Sequence, residues 1–184
     1  QFTGLLGSIG ATTTYGGYTA LAEPGFVIDE NGVRTNFEYE GHYVTKRAVL
    51  GTDAGVSAEW LYDWDNEQLL SVRYPEGNYE SFCYRSGATP TTGCTGAWTG
   101  RLQKVSKSRS ADGVTDWSEA IIYEYWSDGT LKSETRYTNE PGSGAVARLV
   151  RRYAADAHRR PTLTVTGDAG VLFDKYCDVH SDPP

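Results

Sequence analysis

Thr52-Asp53-Ala54-Gly55-Val56-Ser57-Ala58-Glu59-Trp60-Leu61-Tyr62-Asp63-Trp64-Asp65-Asn66-Glu67-Gln68-Leu69-Leu70-Ser71-Val72-Arg73-Tyr74 reads as turn, strand, turn, strand. Asp53-Ala54-Gly55 supplies turn residues, and Trp60-Leu61-Tyr62 supplies side chains that favour a pleated surface. Asp63 to Glu67 turns the chain again, and Leu69 to Tyr74 runs back as the second strand of a β-hairpin.

The same order of residues recurs on both sides. Upstream, Asp29-Glu30-Asn31-Gly32 leads to Phe37-Glu38-Tyr39-Glu40-Gly41-His42-Tyr43-Val44. Downstream, Pro75-Glu76-Gly77 leads to Phe82-Cys83-Tyr84, and Asp112-Gly113 leads to Tyr123-Glu124-Tyr125-Trp126-Ser127-Asp128-Gly129-Thr130-Leu131. Gly142-Ser143-Gly144 precedes Tyr153, and Asp168-Ala169-Gly170 precedes Phe173 to Tyr176. Gly32, Gly55 and Gly77 stand about 22 residues apart, the spacing of a repeat architecture. The matching offsets to Tyr39 and Tyr62 place Gly32 and Gly55 at turn positions with positive φ.

Tyr62-Asp63, Tyr39-Glu40-Gly41 and Tyr125 with Asp128-Gly129-Thr130-Leu131 resemble the unit of the YD-repeat (RHS) family, a Tyr-Asp pair followed by a Gly turn, a basic residue and an aliphatic one. The likeness runs from about Gly25 to Tyr176, and Tyr62-Asp63 alone keeps the strict dipeptide. The resemblance implies a long spiralling antiparallel sheet that, in full-length relatives, winds into a hollow shell around a toxin or forms an extracellular barrel. It also implies that the Tyr and the acidic residue of the unit are structural. This chain is far shorter than such a shell.

Tyr and Trp, at 13 and 5 residues against 5 Phe and no Met, favour an all-β fold with one sheet face wet, since each carries an apolar body and a polar edge. Long helical periodicity is absent; even Gly113 to Tyr125, the one stretch that can be read as a short helix, ends in strand-like Ile121-Ile122-Tyr123. The net charge of −7 is uneven, with 12 acidic against 4 basic residues up to Glu80. An acidic chain without a basic stripe argues against nucleic acid as a partner. No stretch approaches the roughly 20 apolar residues of a membrane-spanning helix.

Three cysteines permit one disulfide. Cys83 and Cys94 stand at the two feet of a Gly/Pro/Thr loop and are expected to bridge, which leaves Cys177 unpaired within the monomer. Small Thr/Gly-rich chains of this kind are usually extracytoplasmic, so an extracellular or secreted location is expected. Residues 1–24 read as a strand-like N-terminal segment, 25–176 as the repeat domain and 177–184 as a C-terminal tail. The run from Phe2 to Ala22 lacks charge and proline and is expected to add a strand to a neighbouring sheet. Two insertions interrupt the period, Cys83 to Thr99 and Ser106 to Ser118, and such insertions map to loops on one side of a repeat protein.

Nothing matches a nucleophile elbow, a phosphate loop, a dinucleotide fingerprint or a paired zinc motif. His42, His158 and His180 are scattered turn or tail residues. Asp174, Cys177, Asp178 and His180 offer ligand types without a second pair at matching spacing, so no metal and no cofactor are expected. Carboxylates are plentiful: Glu38, Glu40, Glu59, Asp63, Asp65 and Glu67 lie among Tyr39, Trp60, Tyr62 and Trp64. Two carboxylates between aromatic platforms are the ingredients of a glycan-cleaving hydrolase, and also what a solvated, repeat-built sheet shows by default. The two readings separate on whether carboxylates converge in a cleft.

The sequence therefore points to an all-β fold, an antiparallel spiralling sheet of five or six YD-type hairpins that can curve into a partial barrel or shell segment. Its function is read as a secreted, non-catalytic scaffold, shell or adhesive module. Its partners are copies of itself or the remainder of a larger chain, with glycan as a candidate ligand. Trp60, Tyr62, Trp64, Trp117 and Trp126 are the candidate binding residues.

Overall fold

The computed structural model describes residues 12–51, 55–155 and 161–168. The contacts group the chain into two compact units, Gln1–Gly77 and Asn78–Pro184. Unit 1 holds β1 (Thr14–Gly16), β2 (Phe26–Ile28), β3 (Arg34–Glu40), β4 (Tyr43–Leu50), β5 (Val56–Asp65) and β6 (Gln68–Arg73). Unit 2 holds β7 (Tyr79–Cys83), β8 (Lys104–Ser108), β9 (Trp117–Tyr125), β10 (Leu131–Glu140), β11 (Gly144–Ala155) and β12 (Pro161–Asp168). Within each unit every strand pairs antiparallel with its neighbours in sequence, and the described residues contain no helix. The all-β hairpin series expected from the turn spacing is what the chain forms.

The turns explain the order. Gly32 and Gly129 each donate their N–H to the carbonyl three residues back, Asp29 and Trp126, with φ of +79° and +90°. A Cβ is poorly tolerated in that left-handed conformation, so glycine closes these three-residue hairpins. The carboxylate of Asp29 then accepts from the N–H groups of Asn31 and Val33, and that of Asp128 from Thr130.

Two expected turns differ. Gly55 is not among the positive-φ residues; it forms a bend just before β5, and its carbonyl accepts from Gly51 N–H at 2.7 Å. Between β5 and β6 the turn contracts from Asp63–Glu67 to Asn66–Glu67, because Asp63 pairs with Ser71 and Asp65 with Gln68. Asn66 and Glu67 have φ of +47° and +64°, the type I′ geometry whose twist matches the flanking strands.

A clasp recurs across strand pairs. Near the end of one strand, a polar edge reaches back to a main-chain carbonyl at the entrance of the strand before it. Tyr39 Oη donates to Pro24 O at 3.0 Å, Trp64 Nε1 to Val44 O at 2.8 Å, Tyr125 Oη to Leu102 O at 2.7 Å, and Asn139 Nδ2 to Trp117 O at 2.9 Å. Each bond satisfies a carbonyl at a strand entrance and contributes about 1 kcal/mol. Two of the tyrosines that carry the repeat pattern are thus structural ties.

Candidate functional site

In unit 1, Trp60 lies under the guanidinium of Arg47, 4.4 Å from the ring centroid, and Tyr62 pairs across the sheet with buried Val72. Trp64 is tied to Val44 and packs on Tyr43, with ring centroids 5.0 Å apart. In unit 2, Trp126 carries the ammonium of Lys132 at 4.5 Å from its centroid, and Trp117 is 6 % exposed. The candidate binding aromatics are therefore half-buried or buried and distributed over both units, and two of them, Trp60 and Trp126, already carry a cation of their own chain.

The carboxylates of unit 1 spread over the sheet. Glu38 and Glu59 flank Lys46, at 3.4 and 3.0 Å from its Nζ, while Glu40, Asp63, Asp65 and Glu67 are exposed. The two glutamates hold the Lys46 ammonium above its ordinary pKa, Glu59 first through a hydrogen bond. A cavity of about 210 Å³ beside β5 takes in Glu59 and Arg73 but none of those other carboxylates. His42 is exposed and pairs with Glu23. No group of three or more His, Cys, Asp or Glu side chains gathers among the described residues, and His158, His180, Asp174, Cys177 and Asp178 lie outside them.

The most enclosed chemistry is in unit 2. Cross-strand partners leave a sheet on one face, and three rows are laid side by side there: Cys83–Lys104–Ile122, Ser81–Ser106–Ala120 and, past a bulge, Tyr79–Ser108–Trp117. Cys83, Lys104, Ser106, Ser81, Ser108, Ala120 and Trp117 are all buried, although most are small or polar. The two insertions explain this. Both fold over that face, and only small side chains leave room for main chain so close above a sheet.

The first insertion is closed by the expected bridge between Cys83 and Cys94, with Cα atoms 5.2 Å apart. Closing a loop of this length contributes about 3 kcal/mol through the unfolded state. Its base is a small hairpin in which Ser86 N–H donates to Ala97 O at 2.9 Å and Thr99 N–H to Tyr84 O at 2.8 Å. The second insertion is shorter than its sequence suggested, because Ser106 and Ser108 belong to β8 and Trp117 and Ser118 to β9. Ser81 Oγ donates to Ala111 O at 2.9 Å, and Ser108 Oγ donates to Ser110 O. Gly113 sits so near that a Cβ there would lie 2.3 Å from Ser106 Oγ. Asp112 accepts from the N–H groups of Val114 and Thr115, and these bonds hold its pKa down at about 2.

Lys104 is 2 % exposed, and its Nζ donates to Thr92 O at 2.7 Å. Burial pushes its pKa below the ordinary lysine value, and the charge of Asp112 partly opposes this. Nothing in the sequence singled out Lys104. An alternating Lys-Val-Ser-Lys-Ser strand looks like one with its polar face in water, and only the insertions reverse that. At the far end of β8, β9 and β10 an open cleft of about 810 Å³ is bordered by Trp117, Asn78, Asn139, Arg109 and Asp116.

No protein-family model and no curated protein matches the chain. Among solved structures, the fold resembles part of TcdB2-TccC3-TEV, with a TM-score of 0.54 and 13 % sequence identity over 86 % of this chain. The aligned region is 9 % of that much longer chain. At this identity the likeness shows a related β fold.

Proposed function

We propose that the chain is a secreted, non-catalytic segment of an RHS-type hairpin sheet, serving as scaffold, shell wall or adhesive surface within a longer chain or an assembly of copies. The observation that carries the reading is the succession of antiparallel hairpins in strict chain order, tied by the recurring clasp. A fold shared with a small fraction of a far longer chain supports it. So do the outer strands: among the described residues β1 pairs only with β2 and β12 only with β11, and a strand with one unpaired edge accepts another. The disulfide fits an oxidising compartment, and among the described residues no helix is long and apolar enough to cross a membrane.

Glycan contact is the ligand reading, with Trp60, Tyr62, Trp64, Trp117 and Trp126 as the proposed contact residues. The observation in its favour is the open cleft of unit 2, which is bordered by Asn78, Trp117 and Asn139. Hydrolysis is the weaker alternative, because the carboxylates of unit 1 spread over the sheet around Lys46 and the hairpin ends. The test is the mass of the native material, with its termini sequenced. The reading expects a longer polypeptide or a multimer; a monodisperse monomer of 20.2 kDa overturns it.

A further inference from the structure

The cover over Lys104 hangs on a bond that a thiol can break. Lys104 is the cross-strand partner of Cys83, so its ammonium and the Cys83 sulphur leave the sheet side by side on one face. Cys83 is bonded to Cys94, and Thr92, two residues before Cys94, supplies the carbonyl that Lys104 Nζ reaches. The ring closed by the disulfide thus lies across the amine.

The attachments of this loop are unequal. Its base has main-chain hydrogen bonds: Ser86 to Ala97, Thr99 to Tyr84, and Gln103 N–H to Cys83 O at 2.6 Å. Its tip bonds mostly with itself, as in Thr89 N–H to Thr92 Oγ1 at 2.9 Å. Among the described residues, the disulfide and the Lys104–Thr92 hydrogen bond are what fasten the tip to the sheet. Access is unequal in the same sense. Cys94 is exposed, whereas Cys83 is 3 % and Lys104 2 % exposed. A reductant can reach the bond at Cys94 while an electrophile cannot reach the amine.

We infer that the Cys83–Cys94 disulfide is a reducible latch over a cryptic amine, and that Lys104 is a modification site open to acyl or carbonyl electrophiles only when a dithiol has released the loop tip. In the opening step a thiolate of the dithiol attacks Cys94 Sγ and Cys83 leaves as thiolate. The second thiol of the reductant then displaces Cys94 and forms its own disulfide, so two electrons and two protons pass to the protein sulphurs. The exposed amine then attacks an acyl carbon, the leaving group departs, and the nitrogen gives its proton to solvent.

The test uses the full chain and sulfo-N-hydroxysuccinimide acetate as the acyl donor, with acetylation mapped by peptide mass. One sample is kept oxidised, and one is reduced with dithiothreitol and desalted without air. The Cys94→Ser variant, which leaves buried Cys83 in place, is labelled without reductant. Lys104 is expected to react about tenfold faster or more in the reduced protein and in the variant, while Lys107 and Lys132 stay within about twofold. Equal protection of Lys104 in all three samples overturns the latch. Ready labelling of Lys104 in the oxidised protein overturns the cryptic amine. A rise of all three lysines by one factor shows general loosening of the sheet and overturns the inference as well.

Discussion

Replacing Gly113 by Ala tests whether the second insertion lies on the sheet as closely as described. Two costs add at this position. Gly113 has a φ of +66°, which costs an L-residue about 1–2 kcal/mol. An added Cβ would also stand 2.3 Å from Ser106 Oγ and 3.0 Å from Ser81 Cβ, so the Ser106 hydroxyl must rotate and the loop must lift, at about 1–3 kcal/mol. The expected loss is about 3 kcal/mol. Gly32→Ala isolates the first cost, since Gly32 has a φ of +79° but nothing within 4 Å of its Cβ position. It should lose about 1 kcal/mol. Gly55→Ala, with φ outside the positive region and nothing within 4 Å of its Cβ position, should be neutral or slightly stabilising. Ser106 supplies the remaining control. Its buried Oγ finds no hydrogen-bond partner among the described residues, so Ser106→Ala should be neutral or stabilising by about 1 kcal/mol and should recover part of the Gly113→Ala loss. Urea unfolding followed by tryptophan fluorescence measures the unsubstituted chain, the four single variants and the Gly113→Ala/Ser106→Ala double variant. If Gly113→Ala costs no more than Gly32→Ala, or if Ser106→Ala rescues none of it, the loop does not rest on Ser106.

Tyr125→Phe and Tyr39→Phe should each lose about 1 kcal/mol in the same assay, through the carbonyls of Leu102 and Pro24 that they leave unpaired. Glu67→Gly should gain about 1 kcal/mol, because Glu67 holds a φ of +64° in a turn for which Asn-Gly is the preferred pair. The Asp112 carboxyl has a folded pKa of about 2 against 3.8 in a free chain, so its stabilising contribution is full above about 4 and is lost as pH falls through 2. Acid titration should therefore loosen the loop over Ser106, read by hydrogen exchange at Val114 and Thr115, and Asp112→Asn should remove that pH dependence. Burial raises the pKa of Tyr84, Tyr123, Tyr125 and Tyr137, so these groups favour the fold below pH 10 and oppose it above. Absorbance at 295 nm should show part of the tyrosine complement ionising late, and a single unshifted step would contradict their burial.

What the sequence revealed was what depends on neighbours in the chain. Asn31-Gly32 and Asp128-Gly129 carry their turn chemistry locally, and alternating aromatics carry the strands, so the hairpin series was legible through the described residues, while its last expected member, Phe173 to Tyr176, lies outside them. Cys83 and Cys94 flank one loop and were legible as a pair for the same reason. Gly55 was misread because its offset from Tyr62 matches that of Gly32 from Tyr39, while the hydrogen bond that sets its conformation comes from Gly51. Asp63 and Asp65 look like turn formers, yet cross-strand pairing to Ser71 and Gln68 holds them in the strand. Trp117 was legible as an aromatic but not as a buried one, and Lys104 was not legible at all. The burial of both depends on insertions that fold back over one sheet face, a long-range event that leaves no periodic trace in β8.

Electron cryomicroscopy of the native particle tests the proposal that these hairpins are consecutive members of a longer antiparallel sheet. The expected particle shows the register Ser81–Ser106–Ala120 in unit 2 and Phe37–Arg47–Trp60 in unit 1, with a further antiparallel strand on the outer edge of β1 or β12. A native particle in which both edges face solvent, or in which these residues pair in another register, contradicts it.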